Sequence, residues 1–404
     1  MPVRSRIFLG AVQALARRSP ALVILGARQA GKSTLARLAF PDHARFDLED
    51  PRDAERLADD PLFALSEHRH VVLDEVQRLP ELFPVLRVWL DADPRRRVVL
   101  LGSASPGLLR RVSESLTGRA LFFDMPGLSV FEEDAAKLWR LGGFPRLHWS
   151  RPRARPEEWY PAYLRTTLER DVPQLGLPLS AARARTLLTL LAHAQGSTLN
   201  LSELGQPLGV SYHTVAAALD VLEGVFLVRR LPPFIANLKK RLVKSPKIYL
   251  RDTGLLHSLL GLGWTRARQL AHPKVGASWE TFCLEQLVAH ARLADPGAQA
   301  FFYRTQTGVE LDLVLVVGGE PVGLEMKLGL TPKAIGPATV AMADLGLRRY
   351  YQVNASDGLV PLRPGMWAGG LVPVLDALGL RPKAREPGAR SAQLAPAPRR
   401  HRGS

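Results

Sequence analysis

The nine residues GARQAGKST, numbered 26–34, have the types and spacing of a phosphate-binding loop. Two glycines let backbone N–H groups turn toward a phosphate chain, the lysine reaches the terminal phosphates, and the serine hydroxyl holds magnesium. The buried run ALVIL precedes the loop and the helical pattern STLARLAF follows it, which is the setting that this motif needs. We therefore predict binding of ATP and Mg²⁺, with the whole loop in contact with the nucleotide: Gly26, Ala27, Arg28, Gln29, Ala30, Gly31, Lys32, Ser33 and Thr34.

A second apolar run, HVVLDE, ends in the acidic pair Asp74 and Glu75. Asp74 is predicted to hold the magnesium ion together with Ser33, and Glu75 to polarise the water that attacks the terminal phosphate. Lys32 is predicted to stabilise the charge of the transferred phosphoryl group. The alternative interpretation is that Asp74 and Glu75 are acidic caps of the next helix.

Two further segments offer groups for the same site. The strand pattern RVVLLGSAS ends in Ser103 and Ser105, either of which is placed to sense the γ-phosphate, although a polar strand-to-loop turn fits equally well. The segment SESLTGR offers Arg119 as an arginine finger for a neighbouring subunit's nucleotide, which would require a homo-oligomer. Arg110 and Arg111 compete for that role, and a plain surface arginine fits any one of them.

These motifs together resemble the AAA-type ATPases that occur in bacteria and archaea as single chains with an uncharacterised C-terminal domain. The resemblance is carried by GARQAGKST, VVLDEVQRLP, LLGSAS, LTGR and LGGFPRL, and covers residues 1–150. It implies an additional-strand P-loop fold, in which the strand of Asp74 and Glu75 is not the immediate neighbour of the strand before the loop.

The middle of the chain has the pattern of a winged helix-turn-helix. A helix, a turn at Gly209 and a second helix capped by Ser211 are followed by the strand pattern FLVRRL. The exposed start of the second helix would present Tyr212, His213 and Thr214 to base edges or phosphates, but such units also serve as protein-binding modules. One helical face is predicted to be buried through Leu204, Leu208, Val215, Leu219 and Leu222.

Toward the C-terminus, a helix with Glu280 precedes the strands ELDLVLVV and GLEMKL. Strand alternation would bring Asp312, Glu325 and Lys327 onto one surface, with Leu311 and Leu313 on the other. Two carboxylates and a lysine suit magnesium-assisted phosphodiester cleavage, with Glu280 as a further metal ligand. The order resembles the restriction-endonuclease-like superfamily, with Leu311 where its pattern often has proline; the alternative is a charged sheet edge.

The predicted fold is therefore α/β: a P-loop AAA-type ATPase domain, a winged helix-turn-helix and a small α/β restriction-endonuclease-like domain. The predicted boundaries are 1–150, a linker at 151–162, 163–235, 236–370 and a basic disordered tail at 371–404. The chain has 404 residues, a net charge of +16 and one cysteine, which indicate a cytoplasmic protein that meets polyanions.

No apolar run is long enough to predict a membrane span. The sequence thus favours an ATPase that acts on nucleic acid, DNA above all, with metal-dependent cleavage as a further activity. The alternative is a nucleotide-controlled switch whose C-terminal domain docks partners without catalysis.

Overall fold

The computed structural model describes residues 6–103, 106–150, 152–235, 243–331 and 335–382. Its first unit is a parallel five-stranded sheet with the strand order β2-β3-β4-β1-β5. The strands are β1 (Ala21–Leu25), β2 (Ala44–Asp47), β3 (His70–Asp74), β4 (Arg97–Gly102) and β5 (Ala120–Asp124). The helices are α1 (Leu9–Arg18), α2 (Lys32–Ala39), α3 (Pro51–Asp59), α4 (Pro61–Ser66), α5 (Leu82–Ala92) and α6 (Pro106–Leu116).

Helices cover both faces of this sheet, which explains why β1 is apolar and buried at all five positions. In β1, Val23 and Leu25 pack with α5 on one face, whereas Leu22 and Ile24 pack with α1 and α2 on the other. Strand β4 lies between β1 and β3. The additional-strand arrangement implied by the resemblance is therefore confirmed.

The second unit is mainly helical and contains a two-stranded antiparallel ribbon. The helix pair at 201–208 and 212–224 has Gly209 in the left-handed conformation between its helices and the Ser211 side chain capping the second. The five leucines and valines predicted on its apolar face are all buried. The elements are α7 (Ala135–Leu141), α8 (Arg146–Trp149), α9 (Pro156–Thr166), α10 (Ala181–His193), α11 (Leu201–Leu208), α12 (Tyr212–Gly224), β6 (Val228–Leu231), β7 (Lys247–Leu250), α13 (Thr253–Leu260) and α14 (Arg266–Leu270).

The third unit is a mixed six-stranded sheet with the order β12-β13-β11-β10-β9-β8. Helices α15 and α17 cover one face and α16 covers the other. Its elements are α15 (Val275–Ala294), β8 (Gln299–Arg304), β9 (Glu310–Val317), β10 (Glu320–Met326), α16 (Gly336–Leu345), β11 (Tyr350–Asn354), β12 (Leu359–Arg363), β13 (Met366–Gly370) and α17 (Leu371–Ala377). Within the described ranges, no helix has the length and apolar character needed to cross a membrane.

The structure corrects three of the predicted boundaries. The proposed linker 151–162 contains the start of α9, because Pro156 occupies a first-turn position where proline is tolerated, and Tyr160 is fully buried. Strand β7 and helix α13 pack in the core of the second unit, although they were assigned to 236–370. The predicted tail 371–404 begins with α17, whose Val374 is buried in the third unit, and residues 383–404 lie outside the described part.

Candidate functional site

The phosphate loop joins β1 to α2 at the carboxyl edge of the parallel sheet. Gln29 and Gly31 both have positive φ, +63° and +99°, which folds the loop back over the start of α2. The Arg6 guanidinium supports the loop by donating to the Ala30 carbonyl over 3.0 Å, and it forms an ion pair with Glu132. The predicted residues 26–34 therefore form one compact turn above the helix N-terminus.

Lys32 lies at the centre of this turn and is 6% exposed. Its ammonium donates to the carbonyls of Gly26 and Ala27 over 3.0 and 3.2 Å. Burial lowers the pKa of Lys32, and the nearby carboxylates of Glu75 and Asp74 oppose that effect. A charge held in a poorly solvated loop favours an anionic ligand, because the phosphates replace the solvation that burial removes.

Asp74 and Glu75 end β3 beside the loop, as the motif predicts. The Ser33 side chain hydrogen-bonds the Asp74 carboxylate, and burial raises the pKa of Asp74. Glu75 has a φ of +54°, which is a strained conformation for a residue with a side chain, and its carboxylate accepts from the Gln77 amide. Ser33 and Asp74 are hard oxygen ligands in contact, so this pair fits Mg²⁺.

A cavity of about 340 Å³ opens beside the loop and brings together Lys32, Glu75 and Ser103. The predicted catalytic and sensor residues therefore share one space, whereas the competing Ser105 lies outside the described residues. The opposite wall of the cavity comes from the second unit, through Tyr163 and Asp171. Thr34 and Ser33 line a neighbouring opening of about 490 Å³ along α2.

Arg28 reaches out of the loop to the second unit. It forms ion pairs with Asp171 and, over 3.0 Å, with Glu49. Glu49 also pairs with Arg78 and Arg170 over 3.2 and 3.3 Å. No sequence pattern pointed to Asp171, because its pairing with Arg28 depends on how the two units pack.

Arg119 lies far from its own chain's loop. It precedes β5, whose first residue pairs with Ala21 at the amino edge of the sheet, and the phosphate loop lies at the carboxyl edge. Its guanidinium makes a two-pronged contact with Asp91, over 2.8 and 3.0 Å. Arg119 is therefore remote from the nucleotide site of its own chain, and its role as a finger for a neighbouring subunit stays a prediction.

In the third unit, strand β9 departs from the predicted alternation at Asp312. The pairing of β9 with β8 contains a bulge there. Phe301 pairs with Val314 and Tyr303 with Leu311, so that β9 has one residue more than β8 between the two pairs. Leu311 consequently packs with α16, whereas Leu313 packs on the face of α15. Asp312 lies at this bulge, where its carboxylate accepts from the Met326 N–H and acts on the nearby Lys327.

The predicted carboxylates of this unit surround a lysine that the sequence did not single out. Lys247 of β7 is 2% exposed, and its Nζ lies 2.5 Å from Glu310, 3.5 Å from Glu280 and 3.7 Å from Asp312. These carboxylates raise the pKa of Lys247 despite its burial. Burial beside the other acids raises the pKa of Glu280 to about 7.

Glu325 and Lys327 form a pair at the end of β10, close enough to Asp312 and Glu280 that these acids also raise the pKa of Lys327. Their charged atoms are 2.7 Å apart, and the Tyr350 hydroxyl donates to the second Glu325 oxygen over 2.7 Å. Over the described ranges, no group of three His, Cys, Asp or Glu side chains is arranged to hold a metal ion. The residues predicted to bind a catalytic metal, Glu280, Asp312 and Glu325, are thus engaged with lysines and tyrosines.

Three family models match successive parts of the chain. The model described as AAA domain matches residues 18–133, a domain of unknown function (DUF8612) matches 132–266, and another (DUF4143) matches 275–369. The match of the AAA domain agrees with the sheet and the phosphate loop described above.

Two curated proteins are similar along most of the chain. They are uncharacterized protein Rv2008c of Mycobacterium tuberculosis and uncharacterized protein Mb2031c of Mycobacterium bovis. Each is 43% identical over 352 residues, which are 85% of this chain and 78% of the relative. Among solved structures, the Walker-type ATPase PABY2304 of Pyrococcus abyssi is 14% identical with a TM-score of 0.42, covering 62% of this chain and 94% of that one.

Proposed function

The chain is a P-loop ATPase of the AAA type and belongs to the family of the mycobacterial proteins Rv2008c and Mb2031c; on that premise we propose a site mechanism and a role for hydrolysis. The backbone of residues 26–34 and the Lys32 ammonium hold the phosphates of ATP. Ser33 and Asp74 hold Mg²⁺, which neutralises phosphate charge when it is bound. Glu75 orients and polarises the attacking water.

The observation that carries this mechanism is the meeting of Lys32 and Glu75 in one cavity at the carboxyl edge of the sheet. Glu75 adopts a backbone conformation that costs of order 1–3 kcal/mol for a residue of its type. Such strain is retained where a side chain must point in a particular direction, and here Gln77 fixes the carboxylate. Glu75 is therefore presented to the cavity as a base, and it does not cap the following turn with its side chain.

Glu75→Gln tests this assignment. The variant should bind ATP as the wild type does and should lose at least ~100-fold in turnover, because an amide cannot accept the proton of the attacking water. Glu81→Gln is the matched control, since Glu81 is exposed at the start of α5 and should leave turnover unchanged. Hydrolysis at the wild-type rate in Glu75→Gln would remove Glu75 from the mechanism.

We further propose that the nucleotide state controls the second unit through Arg28. Arg28 belongs to the loop that binds the phosphates, and Asp171 belongs to the turn that follows α9. An incoming triphosphate competes with Asp171 for the guanidinium, because both ligands are anions and the phosphates lie nearer to the loop. Loss of the bridge frees the segment after α9 from the ATPase unit.

Amide hydrogen exchange over 163–175 measures this coupling. In the wild type, a non-hydrolysable ATP analogue should increase exchange there. Asp171→Asn should show the faster exchange already without nucleotide, whereas Glu169→Gln, which changes an exposed pair with Arg165, should behave as the wild type. Equal exchange in all three proteins with and without the analogue would end the coupling proposal.

Nucleic acid is a second candidate for the partner, favoured by the outer surface of the winged-helix-like unit. Tyr212 is 51% exposed at the start of α12, its ring is tilted by 33° against that of His213, and the whole chain is strongly basic. Aromatic and imidazole groups at a free helix N-terminus suit phosphates and bases. We do not propose that the C-terminal carboxylates cleave nucleic acid, because Lys247 lies among them.

Binding of a labelled DNA duplex across a salt series tests this second candidate. The affinity should fall steeply with salt, and Tyr212→Ala should weaken binding at every salt concentration. Phe63→Ala is the control, since Phe63 is an equally exposed aromatic on the ATPase unit. A salt-independent affinity, or equal losses in the two variants, would exclude α12 as the contact.

A further inference from the structure

We propose that the ammonium of Lys247 takes the place of a divalent cation in the C-terminal carboxylate cluster, so that this unit is anchored to the second unit and does not cleave phosphodiesters. The cluster consists of Glu280, Glu310 and Asp312. This inference is independent of the proposed ATPase mechanism, because the cluster belongs to a different unit.

Geometry is the first support. The Lys247 nitrogen lies within 4 Å of a carboxylate oxygen from each of the three acids, and it is closest to Glu310, at 2.5 Å. A metal that used Glu280 and Asp312 would have to occupy the region between them that the ammonium holds. Two cations cannot share that space, since their repulsion at contact distance in a poorly solvated pocket is large.

Other donors also engage Glu280 and Asp312. The Tyr249 hydroxyl donates over 2.6 Å to the Glu280 oxygen that faces Lys247, and the backbone N–H of Met326 donates over 2.8 Å to the Asp312 oxygen that Lys247 does not face. A hard cation such as Mg²⁺ needs several oxygens free at near-octahedral positions. Here both Asp312 oxygens and one Glu280 oxygen already face donors that the fold holds in place.

Charge balance points the same way. The four acids of the region, including Glu325, face three cationic side chains within 4 Å: Lys247, Lys327 and Arg304. The residual charge of about one negative unit leaves little attraction for a divalent ion. A cleavage site, in contrast, keeps carboxylates unpaired until the metal enters.

Lys247 is held firmly, because its strand packs against two cores. Ile248 and Leu250 are buried in the second unit, Tyr249 is buried in the third, and Lys247 pairs with Leu231 in the ribbon. The Lys247 side chain is also covered by the Phe302 ring, 5.7 Å from the nitrogen. Withdrawing the ammonium would therefore require the ribbon to separate from the third unit.

Thermal unfolding of the full chain without nucleotide, with and without Mn²⁺, tests the inference. The wild-type Tm should not change with Mn²⁺, because the cluster is already filled. Lys247→Met should lower Tm, because Glu280, Glu310 and Asp312 lose the ammonium between them. Saturating Mn²⁺ should restore at least half of the lost Tm. Lys137→Met, which removes a lysine from an ordinary helical pair with Glu133, should lose little and should not respond to Mn²⁺.

A titration of the wild type with Mn²⁺ tests the proposal even if Lys247→Met does not fold. A stoichiometric site that disappears in Asp312→Asn and persists in Asp74→Asn would overturn the proposal. Metal-dependent nicking of plasmid DNA that Glu325→Ala abolishes would overturn it as well. We expect the wild type to hydrolyse ATP while showing neither the Asp312-dependent Mn²⁺ site nor the nicking of plasmid DNA. A wild type that did not hydrolyse ATP would count only against the ATPase mechanism.

Discussion

Replacing Lys32 by methionine should stabilise the nucleotide-free protein while abolishing its response to ATP. The ammonium is buried, and its only direct hydrogen bonds among the described contacts go to the carbonyls of Gly26 and Ala27. Burial lowers its pKa, which means that the charged form is less favourable in the folded state than in the unfolded chain. Methionine has a similar length and removes this charge, so the cost of burying it disappears.

The two effects have opposite signs and comparable sizes. Replacing a poorly compensated buried charge by an apolar group stabilises by about 1–2 kcal/mol, which is roughly 2–4 °C in Tm for each kcal/mol in a domain of this order of size. Loss of the charged contact to the phosphates costs about 1.5–3 kcal/mol and weakens ATP binding by ~10–150-fold. With ATP at 100 times the wild-type Kd, the wild type gains about 2.7 kcal/mol, whereas a variant weakened 100-fold gains about 0.4 kcal/mol.

Differential scanning fluorimetry on both proteins, with and without MgATP, measures these terms together. Lys32→Met should have the higher Tm without nucleotide and the lower Tm with it. Lys137→Met is the control for a lysine lost from a partly buried ion pair outside the nucleotide site, and it should keep the full ATP response. If Lys32→Met unfolds at a lower temperature than the wild type without nucleotide, the buried Lys32 charge does not destabilise the protein and the reasoning is refuted. If MgATP raises the Tm of Lys32→Met as much as that of the wild type, Lys32 does not contact the phosphates.

Three further predictions follow from other contacts. Gln77→Ala should lower kcat roughly tenfold and leave the Kd for ATP unchanged, because Gln77 positions Glu75 without touching phosphate; a steady-state assay beside a binding titration checks this. Burial lowers the pKa of His257 to about 4. Between pH 6.5 and 4 this histidine therefore binds a proton in the unfolded chain and stays neutral in the folded chain. The free energy of unfolding should therefore fall as the pH falls through that window, less steeply in His257→Gln, and equal slopes in urea titrations would contradict this. Deletion of residues 383–404, which carry six basic residues and one acid, should weaken DNA binding at low salt and leave ATP turnover unchanged.

The ATPase unit was largely predictable because its chemistry is local in sequence. Nine consecutive residues form the loop, and Asp74 and Glu75 adjoin the end of one strand. Parallel strands present their carboxyl ends at one edge, so the two motifs had to meet once both strands were recognised. The helix-turn-helix was readable for the same reason, since its cap, turn and apolar face lie within 24 residues, 201–224.

The boundaries between the units were less predictable, because they depend on which core buries each element. Pro156 and its neighbours have the composition of a linker, yet Tyr160 completes a buried core through a hydrogen bond to Asp252. Strand β7 follows a basic stretch that marked a break in the sequence, but its apolar residues fill the cores of two units. Local composition carries no information about such distant partners.

The C-terminal site shows the limit most clearly. The sequence by itself determined that Glu280, Asp312, Glu325 and Lys327 occur in the order of a metal-dependent cleavage site. Only the tertiary structure decided what those groups contact, through a bulge at Asp312 and through Lys247, which comes from another unit. The physical reason is that the charge of a site is a sum over all groups near it, and Lys247, whose ammonium offsets one of the acids in this sum, lies more than thirty residues from the nearest of the predicted acids.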